Sequence, residues 1–221
     1  MISVSAQHIS TGLYICLLIA TVLFGSYIVD EIGVYFYEKQ EHTSTKIFDL
    51  IHEFTPDLHE HEVWVNVIPV IILISFFLLK EPSGFQLAKE FTGKFLILLF
   101  IRTLMLLSTV LPKHEKCTRR FSWKNCFKGQ CYDKSFSGHT ALVFLACLIF
   151  LREDIIPFWG LCLIMTTQIS LILLTRSHYT IDVVIALLFT YLVYGGDYHI
   201  FNEFVTKIEK EVTEVASEVS S

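Results

Sequence analysis

The chain contains no CxxC pair despite its six cysteines, so the thiolate spacing of a structural zinc site is missing. It has no internal repeat and no low-complexity tract, which excludes repeat architectures and biased scaffolds. The first apolar stretch lacks the basic start and small-residue cleavage pattern of a signal peptide. Thr11–Val29 therefore reads as a retained helix or signal anchor. Charge is scarce as well: charged residues make up 18% of the chain, and the net charge of -5 lies in loops and tail. No nucleic-acid partner is expected from such a balance.

What the chain has instead is apolar length. Of its 221 residues 53% are hydrophobic, and the mean hydropathy is +0.55. A bilayer span takes about 17–25 largely apolar residues. Windows near 11–29, 63–79, 95–111, 137–151, 156–174 and 180–194 approach that, which predicts an all-α, polytopic bundle of six transmembrane helices. Residues 1–199 then form one transmembrane catalytic domain. Residues 200–221 form a tail whose apolar positions, Phe201 to Val219, recur at helical steps; core docking or self-association would suit it.

The loops are short on signals. The piece from Lys46 to His52 is amphipathic and suits a membrane surface. His59 and His61 stand two residues apart, share no helix face, and read as part of a solvated turn. Cys16, Cys147 and Cys162 fall in apolar runs as small buried thiols. Cys117, Cys126 and Cys131 crowd one loop, which supports at most one disulfide and a spare; a disulfide there would place the loop in an oxidising space.

Six spans put both termini on one side of the membrane. The 112–136 loop, His139 and His178 then meet on the other. Ser137-Gly138-His139 opens the fourth helix, where Ser137 is a good N-cap and Gly138 permits close approach. Helix starts carry unpaired N–H groups and a positive dipole end, which suit a phosphate. His178 and Asp182 are four residues apart at the start of the sixth helix. A carboxylate on one imidazole nitrogen leaves the other bare, as a nucleophile requires. His139 can protonate a departing alkoxide. Arg102, read as mid-helix, needs a phosphate or Asp182 as partner. Arg176 stands two residues before His178.

At these residues the chain resembles the sphingomyelin synthase branch of the type 2 phosphatidic acid phosphatase-like superfamily. The resemblance rests on Cys131-Tyr132-Asp133 leading to Ser137-Gly138-His139-Thr140, and on His178-Tyr179-Thr180-Ile181-Asp182-Val183. Arg102-Thr103 through Pro112 is similar to the family's third-helix block, and Thr55-Pro56-Asp57 to a remnant of its proline-rich block. Tyr132 stands where the family has glycine.

The resemblance implies a catalytic triad of His139, His178 and Asp182, a phosphohistidine, and no cofactor or metal. It implies phosphate contacts from Arg102, Ser137, Gly138, Arg176 and Tyr179. It further implies transfer of phosphocholine from phosphatidylcholine to ceramide, with diacylglycerol released. The active site would be lumenal or exoplasmic in the Golgi, endoplasmic reticulum or plasma membrane. Transfer of phosphoethanolamine or phosphoinositol, or transfer to diacylglycerol, are the near alternatives. Lipid phosphate hydrolysis and non-catalytic lipid binding are the further ones. Phe136 in place of the phosphatase branch's proline, and Arg176 so close to His178, favour the transferase.

Lysines and arginines number six on the terminal side and ten on the other, so the positive-inside tendency opposes the lumenal assignment. Trp123, Tyr132, Asp133 and Phe136 precede His139 and are candidates for a choline box of aromatic faces and one carboxylate.

Overall fold

The computed structural model describes residues 2–35, 37, 47–79, 83–112 and 131–196. Among these all regular structure is helical, with no strand. The elements are α1 (Ile2–Val34), a short α2 (Leu50–Phe54), a 3-10 helix (His59–Asn66) that runs into α3 (Val67–Leu78), α4 (Ser83–Ser108), α5 (Gly138–Arg152), α6 (Phe158–Leu174) and α7 (Thr180–Gly195). The 200–221 tail, Trp123, Cys117 and Cys126 lie outside the described residues.

Three segments are long and apolar enough to cross a bilayer, Cys16–Val34, His59–Leu78 and Gly84–Ser108, which marks an integral membrane protein. Helices α5, α6 and α7 are apolar but shorter.

Helix α5 sits at the centre, against α3, α4, α6 and α7. Its buried residues, Ala141, Val143, Leu145, Cys147, Ile149 and Phe150 among them, cover every side of the helix, the pattern of a fully enclosed helix. Helix α1 packs on α4. Large apolar side chains such as Phe24, Phe77, Leu163, Leu188 and Tyr191 point outward. Such a surface is an aggregation liability in water and an ordinary one in lipid.

The third predicted helix begins much earlier than its apolar run suggests. The apolar run predicts a helix only from about residue 95, yet residues 84–94, with Lys89, Glu90 and Lys94, belong to α4. Two of these charges are satisfied within the bundle: Arg152 grips Glu90 at 2.8 and 2.7 Å, and Lys94 donates to Glu90 at 3.0 Å and to the Tyr194 carbonyl at 3.0 Å. Arg102 therefore lies toward the C-terminal end of α4, close to the loops, and not in mid-helix.

At that end of the bundle α1, α4 and α6 finish while α3, α5 and α7 begin. Tyr132 is buried there against Val29, Val34 and Leu106 and stacks on Tyr37 at 5.7 Å. A side chain at Gly33 would run into the Tyr132 ring, so this approach requires glycine. Cys131 is disulfide-bonded.

Candidate active site

The segment 131–137 is buried along its whole length and delivers the chain to the start of α5. Ser137 caps that helix: its hydroxyl accepts the Thr140 N–H at 3.3 Å and the Thr140 hydroxyl at 2.9 Å. Helix geometry leaves the N–H groups of Gly138 and His139 without an intrahelical carbonyl. The Ser137 N–H donates instead to the Asp182 carbonyl at 3.3 Å, which ties the two histidine blocks together.

His178 Nδ1 lies 3.2 Å from Asp182 Oδ2, with both side chains buried. The four-residue spacing works, but not because one helix carries both residues. Helix α7 begins at Thr180, so His178 lies ahead of it. Asp182 reaches back from the first turn, and the same Oδ2 accepts the Tyr179 N–H at 3.0 Å. With the Nδ1 proton held by the carboxylate, Nε2 is the bare nitrogen. Asp182 Oδ1 is buried without a hydrogen-bond partner among the described residues.

Arg102 pairs with Asp133, Nη2 on Oδ2. Its partner is therefore not Asp182, and the Asp133 carboxylate is turned to the guanidinium and not to a choline box. Arg102 Nε has no hydrogen-bond partner among the described residues and lies 3.8 Å from the point where a Gly138 side chain would begin. The cation thus stands within ordinary contact distance of the helix start.

Tyr132 and Phe136 are both about 1% exposed. They pack in the interior and form no open aromatic box; Trp123 is outside the described residues. Arg176, at a left-handed φ of 57°, spends its guanidinium on the α2 segment. It donates to the carbonyls of His52 at 2.7 Å and Thr55 at 2.6 Å, and to the Thr55 hydroxyl at 3.0 Å. His139 sits on the second residue of α5 and is half-buried. His178, Asp133 and Arg102 act on it electrostatically.

Several residues of this arrangement escaped the sequence reading. Asp49 accepts the Thr180 N–H at 2.6 Å and the Thr180 hydroxyl at 2.8 Å. With Asp182 on Tyr179, two carboxylates now occupy the start of α7, and α5 is left as the helix whose positive end faces the site. Lys134 donates to the carbonyls of Arg176 and Ser177, binding the 131–137 segment to the loop that carries His178. Asn66 meets His139 Nε2 at 2.8 Å. The signal for Asp49 and Asn66 was a single polar residue set in an apolar run, Ile47-Phe48-Asp49-Leu50-Ile51 and Val65-Asn66-Val67. The segment around His59 is a 3-10 helix, with His59 Nδ1 3.3 Å from the Thr175 carbonyl.

The charged surroundings shift three groups outside the spans. Burial pushes the His52 imidazole below its ordinary value, and the Arg176 and Lys134 cations add to this against Asp49. Burial also acts to raise Asp49, but the hydrogen bonds from Thr180 and His52 outweigh it and hold the carboxyl below its usual range. Burial and the carboxylates of Asp182 and Asp49 push the Tyr179 hydroxyl up.

No curated protein matches the chain. Residues 130–200, which hold both histidine blocks and the Lys134 tie between them, match the family model described as PAP2 superfamily C-terminal, and this supports the type 2 phosphatidic acid phosphatase superfamily.

Proposed function

We propose that the protein is a six-span phospholipid head-group transferase that works through a phosphohistidine on His178. The superfamily match supports lipid phosphatase or phosphotransferase activity in general. The observation that carries the finer reading is the His178–Asp182 pair, linked by the Ser137–Asp182 backbone bond to a helix start that can hold a phosphate.

In the first step His178 Nε2 gives its lone pair to the phosphorus of a phosphodiester. The bond from phosphorus to the glycerol oxygen breaks, the electron pair stays on that oxygen, and protonated His139 supplies its proton, so diacylglycerol leaves. In the second step neutral His139 takes the proton of a lipid hydroxyl, whose oxygen bonds to phosphorus. The phosphorus–nitrogen bond breaks and its pair returns to Nε2. Asp182 holds the Nδ1 proton throughout and steadies the imidazolium character that develops. Arg102 and the N–H groups of Gly138 and His139 face the charge on the phosphoryl oxygens.

Ceramide as acceptor and phosphocholine as head group follow the resemblance of the two histidine blocks. The burial of Tyr132 and Phe136 gives no support to an aromatic choline box within 131–137. The disulfide at Cys131 supports an exoplasmic or lumenal site, where thiols oxidise. Hydrolysis is the second reading, because the same phosphohistidine can pass its phosphoryl group to water.

The test supplies purified protein in vesicles with phosphatidylcholine, phosphatidylethanolamine and phosphatidylinositol as donors and a fluorescent ceramide as acceptor, with products identified by mass spectrometry. A ceramide carrying phosphocholine is expected. Free head-group phosphate without transfer would establish hydrolysis, and no product from any donor would reject both readings.

A further inference from the structure

The structure places the residue just before α3 on the histidine assigned above as general acid. Asn66 is the last residue of the 3-10 helix and leads directly into α3. Its Oδ1 lies 2.8 Å from His139 Nε2, across 73 residues of sequence. An asparagine amide can present either its oxygen or its NH2 to a neighbour, so the other end of the group decides which is turned inward. Here the Asn66 Nδ2 lies 3.4 Å from the Val63 carbonyl, which accepts its N–H. Turning the amide over would set two oxygens against each other at Val63 and point an N–H at His139. The Val63 carbonyl therefore fixes the oxygen toward the imidazole.

An amide oxygen only accepts, so the proton between the two residues belongs to His139 Nε2. We propose that Asn66 is a positioning residue for His139: it locks the imidazole ring and its Nε2–H, leaving Nδ1 as the one nitrogen that exchanges a proton with substrate. This deepens the transferase reading and rests on it for the role of His139.

The two histidines are then set in opposite senses. Asp182 takes the Nδ1 proton of His178 and bares Nε2, whereas Asn66 takes the Nε2 proton of His139 and bares Nδ1. The difference in the acceptor matters too. A carboxylate favours the charged imidazolium, as a nucleophile forming a bond to phosphorus needs. A neutral amide orients the ring without fixing its charge, so His139 remains free to switch between acid in the first step and base in the second. The groups acting on His139 from the neighbouring elements are His178, Asp133 and Arg102.

The experiment uses full-length protein in nanodiscs with 15N-labelled histidine, the His139 signals being assigned by their loss in His139→Gln. Wild type should show His139 as the Nε2–H tautomer. Asn66→Leu should give a mixture of tautomers. Asn66→Asp, which keeps an acceptor oxygen in place, should restore the Nε2–H form. A His139 that carries its proton on Nδ1 in wild type, or a tautomer unchanged in Asn66→Leu, would overturn the proposal.

Kinetics with the donor and acceptor lipids supply the second arm. Asn66→Leu should lower kcat about ten- to hundredfold, the effect of losing one hydrogen bond to a charged group, with KM little changed. A loss confined to KM would show Asn66 acting elsewhere. Should the tautomer signature hold while no lipid is turned over, Asn66 stands as the positioning residue and the transferase reading is what fails.

Discussion

The backbone N–H of Ser137 donates to the backbone carbonyl of Asp182 at 3.3 Å. Asp182, the carboxylate beside His178, and the cap of α5 are thus joined without any side chain. Substitutions of either side chain, proline at Ser137 aside, leave both backbone groups in place, so variants in the histidine blocks can be read for chemistry rather than for loss of this bond.

His178→Ala and His139→Ala are each expected to abolish turnover in the lipid assay while the protein still expresses and melts cooperatively. Asp182→Asn should lower kcat on the order of 10²–10⁴-fold, since an amide at that position can donate to Nδ1 and so place the proton on Nε2. Near-normal transfer by His178→Ala would rule out the phosphohistidine.

Asp49 joins the short α2 to the first turn of α7 through two bonds to Thr180. Asp49→Ala should lower stability by about 0.5–2 kcal/mol, the usual range for loss of a capping carboxylate. It should also reduce activity, because the loop carrying His178 is held from the same side. Thermal unfolding in detergent, run beside the transfer assay, measures both.

Gly33 and Tyr132 share one volume. Gly33→Ala should destabilise by about 1–3 kcal/mol through overpacking, and in a Tyr132→Ala background, which carries the cost of its own cavity, the same substitution should cost much less. A melting midpoint unchanged in Gly33→Ala would mean that α1 does not press on the 131–137 segment.

Acid should weaken the fold in two stages. His52 titrates below its ordinary 6.5 in the folded chain. The unfolded chain therefore binds the proton more readily, and the contribution is complete above pH 6.5 and declines as pH falls from there toward the folded value. Asp49, held below its ordinary 3.8, adds a second decline beneath that pH, again because the unfolded state takes up the proton first. Melting midpoints on both sides of pH 6.5 should show the first stage, and His52→Gln should flatten it.

Much of this layout was legible from local pattern. Ser137 before Gly138 and an apolar run announces a helix start, and both α5 and α7 begin within a residue of where the pattern places them. The His178–Asp182 contact was legible in spacing, although its geometry is that of a carboxylate reaching back to the residues before the helix. Arg102 was misplaced because charge was taken as the end of a span. Glu90 and Lys94 instead find Arg152 and the Tyr194 carbonyl, contacts that no local window contains. Asn66 and Asp49 were illegible for the same reason. Their partners lie 73 and 131 residues away, so a lone polar residue is visible in sequence but its purpose is not.

The Glu90 cluster at the far end of the bundle also bears on the site. Arg152 stands in the last turn of α5, and Lys94 binds a terminal carbonyl of α7. Cations at those positions offset the negative ends of the two helices. Helix α7 is then compensated at both ends, by Lys94 at one and by Asp49 and Asp182 at the other. Helix α5 is compensated only at Arg152. Its field is one-sided, with the open positive pole at Gly138, about 22 Å from the compensated one, which favours an anion at the end of α5 where His139 stands.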